Sequence, residues 1–123
     1  MIKLLHVEDD PDIREITEMA LTMSGRFELV QCASGPEAIE TVATFLPDLI
    51  LLDMMMPGMS GRQVLEHLRQ IPALSQTPAV FMTARAQPTE IQELLALGAA
   101  DVISKPFDPM TLSDQLSVVL DRD

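Results

Sequence analysis

Residues 49–53 read LILLD, four branched hydrocarbons in succession closed by a carboxylate. A strand with one wet face alternates apolar and polar side chains, so an unbroken apolar run marks a strand covered on both faces. Strands covered in that way belong to parallel sheets, whose crossover helices pack above and below. AVFMT at 79–83 has the same character and is apolar up to its last residue, Thr83. Two central parallel strands are therefore expected.

Working outward, IKLLHV (2–7), FELVQC (27–32) and DVISK (101–105) supply three more short strands. Amphipathic segments separate them. Asp10 is placed to cap a helix with Pro11 at its first position, and Ile13, Ile16, Thr17, Ala20 and Leu21 then fall on one face. Ser34 and Glu37 read as a capping box ahead of Ala38, Val42, Phe45 and Leu46, with Pro47 as the stop. Ser60 and Gln63 repeat that signature before Val64, Leu65 and Leu68, with Pro72 as the limit. A fourth helix is expected from Pro88, through Ile91, Leu94 and Leu95, to a left-handed cap at Gly98. A fifth is expected from Asp108-Pro109, presenting Leu112, Leu116, Val119 and Leu120. Five alternating strand and helix units predict an α/β doubly wound fold, a five-stranded parallel sheet with right-handed crossovers and helices on both sides.

At 123 residues the chain fits one domain able to bury a proper core. No apolar run approaches the ~18 residues of a membrane helix, and the start does not resemble a signal peptide, so no membrane association is expected. Cys32 is the single cysteine, which excludes a disulfide framework and suits a cytoplasmic location. With 19 acidic against 8 basic residues the formal charge is −11. Nucleic-acid binding draws on clustered Lys and Arg and on aromatic stacking, and here the cations are scattered and Trp and Tyr absent. No nucleic-acid partner is expected.

In open parallel sheets, ligands bind beyond the carboxyl ends of the strands, where the winding direction reverses. The residues there are Glu8 and Asp9 after the first strand, Asp53 at the end of the third, Thr83 at the fourth and Lys105 at the fifth. Unit charges about 4–5 Å apart repel by several kcal/mol, more than one lysine offsets. Either a carboxylate is protonated with a raised pKa, or a divalent cation sits among them. Oxygen donors without His or Cys suit a hard ion, Mg²⁺ by preference, with Mn²⁺ or Ca²⁺ as alternatives. Asp10 is accounted for by helix capping alone. A cation beside a further carboxylate, an ammonium and a hydroxyl suits a phosphoryl group: Asp53 as the attacking nucleophile, Lys105 and the cation neutralising phosphoryl oxygens, Thr83 donating a hydrogen bond. His6, mid-strand, reads as a packed, hydrogen-bonded histidine, and the Met54, Met55, Met56, Met59 cluster as packing and loop lining.

The stretches LLHVEDDP, LILLDMMMPGMSG, AVFMTA and LGAADVISKPF together resemble the receiver domain of bacterial two-component response regulators, from Met1 to about Leu120. The resemblance implies the flavodoxin-like (βα)5 fold with strand order 2-1-3-4-5. It also implies a phosphorylation switch in two-component or phosphorelay signalling that catalyses its own phosphorylation and dephosphorylation and is not an enzyme acting on outside substrates. A phosphohistidine on a histidine kinase or histidine phosphotransfer protein would supply Asp53, forming an aspartyl phosphate. Glu8, Asp9, Asp53 and the Met55 backbone carbonyl would hold Mg²⁺, with Mn²⁺ as a substitute. Lys105 would pair with the phosphate, and Thr83 would move towards it. The Lys105–Pro106 bond would be cis, a form taken by only ~5–6% of X–Pro bonds.

The family often carries an aromatic residue three positions before this lysine, as part of the switch; Val102 stands there, too stiff to swing in and out of a pocket. Met55 and Arg85 offer neither carboxylate nor amide side chain to orient a hydrolytic water, which predicts slow loss of the phosphoryl group. A single domain over 1–123 with no effector domain is expected, reaching a downstream protein through the face of the fourth helix, fifth strand and fifth helix (Ile91, Leu95, Val102). The competing readings are a passive interaction module of the same fold and a Mg²⁺-dependent aspartyl-phosphate phosphatase or phosphotransferase. The second lacks the following acid that such enzymes use, since Met54 and Met55 fill those positions.

Overall fold

The computed structural model describes residues 1–85 and 87–121. Among these, strands β1 (Ile2–Val7), β2 (Phe27–Cys32), β3 (Leu49–Asp53), β4 (Ala79–Thr83) and β5 (Asp101–Ser104) alternate with helices α1 (Pro11–Ser24), α2 (Gly35–Thr41), α3 (Gly61–Arg69), α4 (Pro88–Ala96) and α5 (Leu112–Asp121). All pairings are parallel, in the order β2-β1-β3-β4-β5. No helix among the described residues is long and apolar enough to cross a membrane.

β3 and β4 are buried along their whole length, as their unbroken apolar runs predict. Alternate side chains serve the two faces. Ile50, Leu52 and Phe81 pack with Ala38, Val64, Leu68 and Leu94 from α2, α3 and α4. Leu49, Leu51, Val80 and Met82 pack with Leu21, Leu112, Leu116 and Val119 from α1 and α5. Cys32 is a buried small hydrophobe. Removal of this apolar surface from water is the main force holding the layers together.

The predicted caps form. Asp10 accepts from Asp12 N–H at 2.9 Å with Pro11 at the first helical position, and Ser34 accepts from Glu37 N–H at 3.3 Å, although the expected box does not close there, because Glu37 Oε2 accepts from Ala33 N–H at 3.0 Å instead of from Ser34. Ser60 and Gln63 close a reciprocal capping box at 2.9 and 3.3 Å. Four expectations need correction. α2 ends at Thr41, well before Leu46, because the Thr41 hydroxyl bonds back to Glu37 O at 2.8 Å and the chain leaves the helix in turns. α5 begins at Leu112, because Asp108 folds into a turn of its own, accepting from Met110 N–H at 2.9 Å. Ile16 is 45% exposed, since α1 meets the sheet through Thr17 and Leu21. β5 stops at Ser104, one residue short, although Lys105 N–H still donates to Thr83 O at 2.8 Å.

Candidate phosphoryl and metal site

Strand register assembles the site. Val7 pairs with Leu52, so the next residues, Glu8 and Asp53, leave β1 and β3 side by side, strands being ~4.8 Å apart. The sheet reverses its winding direction between these two strands, with β2 on one side and β4 on the other. Thr83 closes β4 opposite Ser104, and Lys105 follows β5.

Glu8 is fully buried, Asp53 and Thr83 nearly so, and Asp9 is exposed. Lys105 Nζ donates to Glu8 Oε1 and to Asp53 Oδ1, at 2.8 Å each. The Met55 N–H also reaches Asp53 Oδ1, at 3.4 Å, while the Met55 side chain is 70% exposed. Glu8 Oε2 accepts from Asp10 N–H at 3.2 Å. Burial drives the Glu8 pKa up from 4.5 to about 7; Lys105 and the Asp10 N–H pull it down, and Asp53 pushes it up again. For Lys105, burial favours the neutral amine, but hydrogen bonds to Asp53 and Glu8 outweigh it and hold the pKa above its usual value. One ammonium thus faces two buried carboxylates with a third acid beside them, and the group is short of positive charge.

Carboxylate oxygens of Glu8, Asp9 and Asp53 all lie within 4.8 Å of one another. An all-oxygen set with that spacing and an excess of negative charge fits a hard divalent cation. The Thr83 hydroxyl oxygen accepts from Arg85 N–H at 3.0 Å, so this side chain is engaged with the following loop and not with Asp53. Val102 is half-buried on β5, packed against the α2–α4 side of the core. Met54 is core, Met56 and Met59 pack against it, and Met55 lines the rim of the site. Lys105–Pro106 is cis. His6 is buried, its Nδ1 3.1 Å from Gln31 Nε2, and burial pushes its pKa down to about 3, so it is a neutral structural ring.

Two residues escaped the sequence reading. Arg14 Nη1 donates to the backbone carbonyls of Glu8 (2.7 Å) and Asp9 (3.0 Å), and Gln31 Nε2 donates to Arg14 O (2.8 Å). Side-chain contacts to backbone carbonyls leave no periodicity or motif. The one available signal is that Arg14 stands one helical turn after the cap that follows the acids.

The response regulator receiver domain model matches residues 4–117. The phosphate regulon transcriptional regulatory protein PhoB of Escherichia coli is 37% identical over 120 residues, covering 98% of this chain and 52% of PhoB. Response regulator Rre1 of Synechocystis is 35% identical over 119 residues, covering 97% of this chain and 50% of Rre1. This chain thus spans about half the length of these curated relatives. The chemotaxis protein CheY4 of Vibrio cholerae superposes with a TM-score of 0.90 at 33% identity, covering 97% of this chain and 98% of CheY4. With the strand order, the clustered acids and these similarities agreeing, the chain belongs to the response regulator receiver domain family of two-component systems.

Proposed function

We propose that Asp53 accepts a phosphoryl group from a phosphohistidine on a histidine kinase or histidine phosphotransfer protein, and that this modification switches binding of a downstream protein. The observation that carries the reading is the pair of 2.8 Å bonds joining Lys105 to Glu8 and Asp53 within a cluster of three acids. Asp53 Oδ1 is held by the lysine and by Met55 N–H, so Oδ2 is the oxygen that attacks. The P–O bond forms as the P–N bond breaks, and the imidazole nitrogen leaves with the electron pair. Lys105 stays beside Oδ1 and faces the negative charge on the phosphoryl oxygens. Glu8, Asp9, Asp53 and the Met55 carbonyl would hold Mg²⁺ (or Mn²⁺), which supplies positive charge to the transferring phosphoryl oxygens. Thr83 would exchange its bond from Arg85 N–H for one donated to the phosphate, and the loop after β4 would follow. With Val102 in β5, the readout runs through that loop and the α4–β5–α5 face, where Ile91 and Leu95 are candidate contacts. As a module, residues 1–123 act through this one site.

The test is incubation with acetyl phosphate or phosphoramidate and Mg²⁺, followed by intact mass. Gain of one phosphoryl group that EDTA and Asp53→Asn each abolish is expected. Absence of any adduct, or an undiminished adduct on Asp53→Asn, overturns the reading.

A further inference from the structure

The loop from the end of β1 to the start of α1 carries Glu8 and Asp9, and the Arg14 side chain holds both of their carbonyls. Arg14 Nη1 donates to the Glu8 carbonyl at 2.7 Å and to the Asp9 carbonyl at 3.0 Å. These two carbonyls belong to the peptide planes on either side of the Asp9 α-carbon. Fixing both planes fixes the direction of the Asp9 Cα–Cβ bond, which matters because Asp9 is exposed. Arg14 is itself anchored. Its carbonyl accepts from Gln31 Nε2 at 2.8 Å, and the same amide nitrogen lies 3.1 Å from His6 Nδ1. A closed ring therefore runs from β1 through Gln31 of β2 to Arg14 of α1 and back to the acid loop.

We infer that Arg14, seated by Gln31, is a positioning residue that preorganises Glu8 and Asp9 for a divalent cation. The inference rests on the reading of these acids as a cation site. A loop that must be ordered when the ion arrives loses affinity by that ordering, and a loop already pinned does not. Charge argues the opposite way. A guanidinium close to a cation site repels the cation, so a purely electrostatic role would make its removal tighten binding. The two roles predict opposite signs.

The experiment measures the Mg²⁺ dissociation constant by calorimetry for the unaltered protein, Arg14→Met, Arg14→Lys and Gln31→Leu, with metal-free melting temperatures alongside. Arg14→Met is expected to weaken Mg²⁺ binding about tenfold, in the range found for residues that orient metal ligands. Gln31→Leu should weaken it less, in the same direction. Arg14→Lys keeps the charge, but its ammonium stops about one bond short of the carbonyls, so it too should bind more weakly than the unaltered protein. Should Arg14→Met not fold, Arg14→Lys and Gln31→Leu decide by the same criterion. Unchanged or tighter Mg²⁺ binding in these variants, whatever their melting temperatures, overturns the inference and leaves Arg14 a fold-stabilising residue. If the unaltered protein binds no Mg²⁺, the cation reading of the acids falls and this inference falls with it.

Discussion

At the scale of single residues, the buried acid Glu8 carries the clearest consequence. Its pKa rises from 4.5 to about 7 on folding, chiefly through burial. An acid raised in this way favours the native state while protonated. That contribution is complete below the unfolded value and is lost as pH rises through the folded one. Without metal, the stability of the unaltered protein relative to Glu8→Gln is therefore expected to fall between pH ~4.5 and ~7, by on the order of 1–3 kcal/mol, and to level off above. Urea midpoints in EDTA across that range measure it; a flat difference contradicts it. His6 acts with the opposite sign. Its pKa is pushed down to about 3, so its contribution is present above ~6.5 and is lost on acidification. Met55 bears on lifetime. Its side chain is 70% exposed at the rim and has no group to orient water, so Met55→Asn is expected to speed acyl-phosphate loss severalfold; timed intact mass after removal of the phosphodonor gives the rate, and an unchanged rate refutes the role. The gathering of Glu8, Asp9, Asp53, Thr83 and Lys105 at the strand ends was legible because each sits at or just past the end of an apolar run. Arg14 and Gln31 were not, since their bonds go to backbone carbonyls, Arg14 to those of Glu8 and Asp9 and Gln31 to that of Arg14, and such bonds leave no side-chain pattern.

Individual elements were read well where local chemistry decides them. The caps at Asp10, Ser34 and Ser60 formed because a side-chain oxygen one to three residues from its donor needs no tertiary support. α2 and α5 came out shorter than expected where another local bond competed, at Thr41 with Glu37 O and at Asp108 with Met110 N–H. α3 shows a constraint of a different kind. A Cβ at Gly61 would collide with the Asp53 carbonyl oxygen, while Gly61 N–H donates to Met54 O at 3.0 Å. The helix thus starts against the backbone that carries the proposed phosphoacceptor. Gly61→Ala is expected to cost about 1–3 kcal/mol and to slow phosphorylation by acetyl phosphate, because the added methyl must push the end of β3. Chemical denaturation and intact mass check the two effects; an alanine variant of unaltered stability and rate would show that the contact relaxes freely.

For the molecule as a whole, the two-faced burial of β3 and β4 sets stability. Leu51 is fully buried whereas Ile16 is 45% exposed, so Leu51→Ala should cost about 2–5 kcal/mol and Ile16→Ala under about 1 kcal/mol. Urea unfolding of both distinguishes them, and equal losses would mean that the core is misplaced. The sequence by itself determined the strand–helix alternation, the covered central strands and the set of polar residues at the strand ends. All three are properties of contiguous segments, set by period, caps and run length. The tertiary structure alone decided that Lys105 spans Glu8 and Asp53, and that Arg14 pins the acid loop. Those contacts join residues on different elements, and their geometry follows from strand register and helix placement, which no single segment encodes.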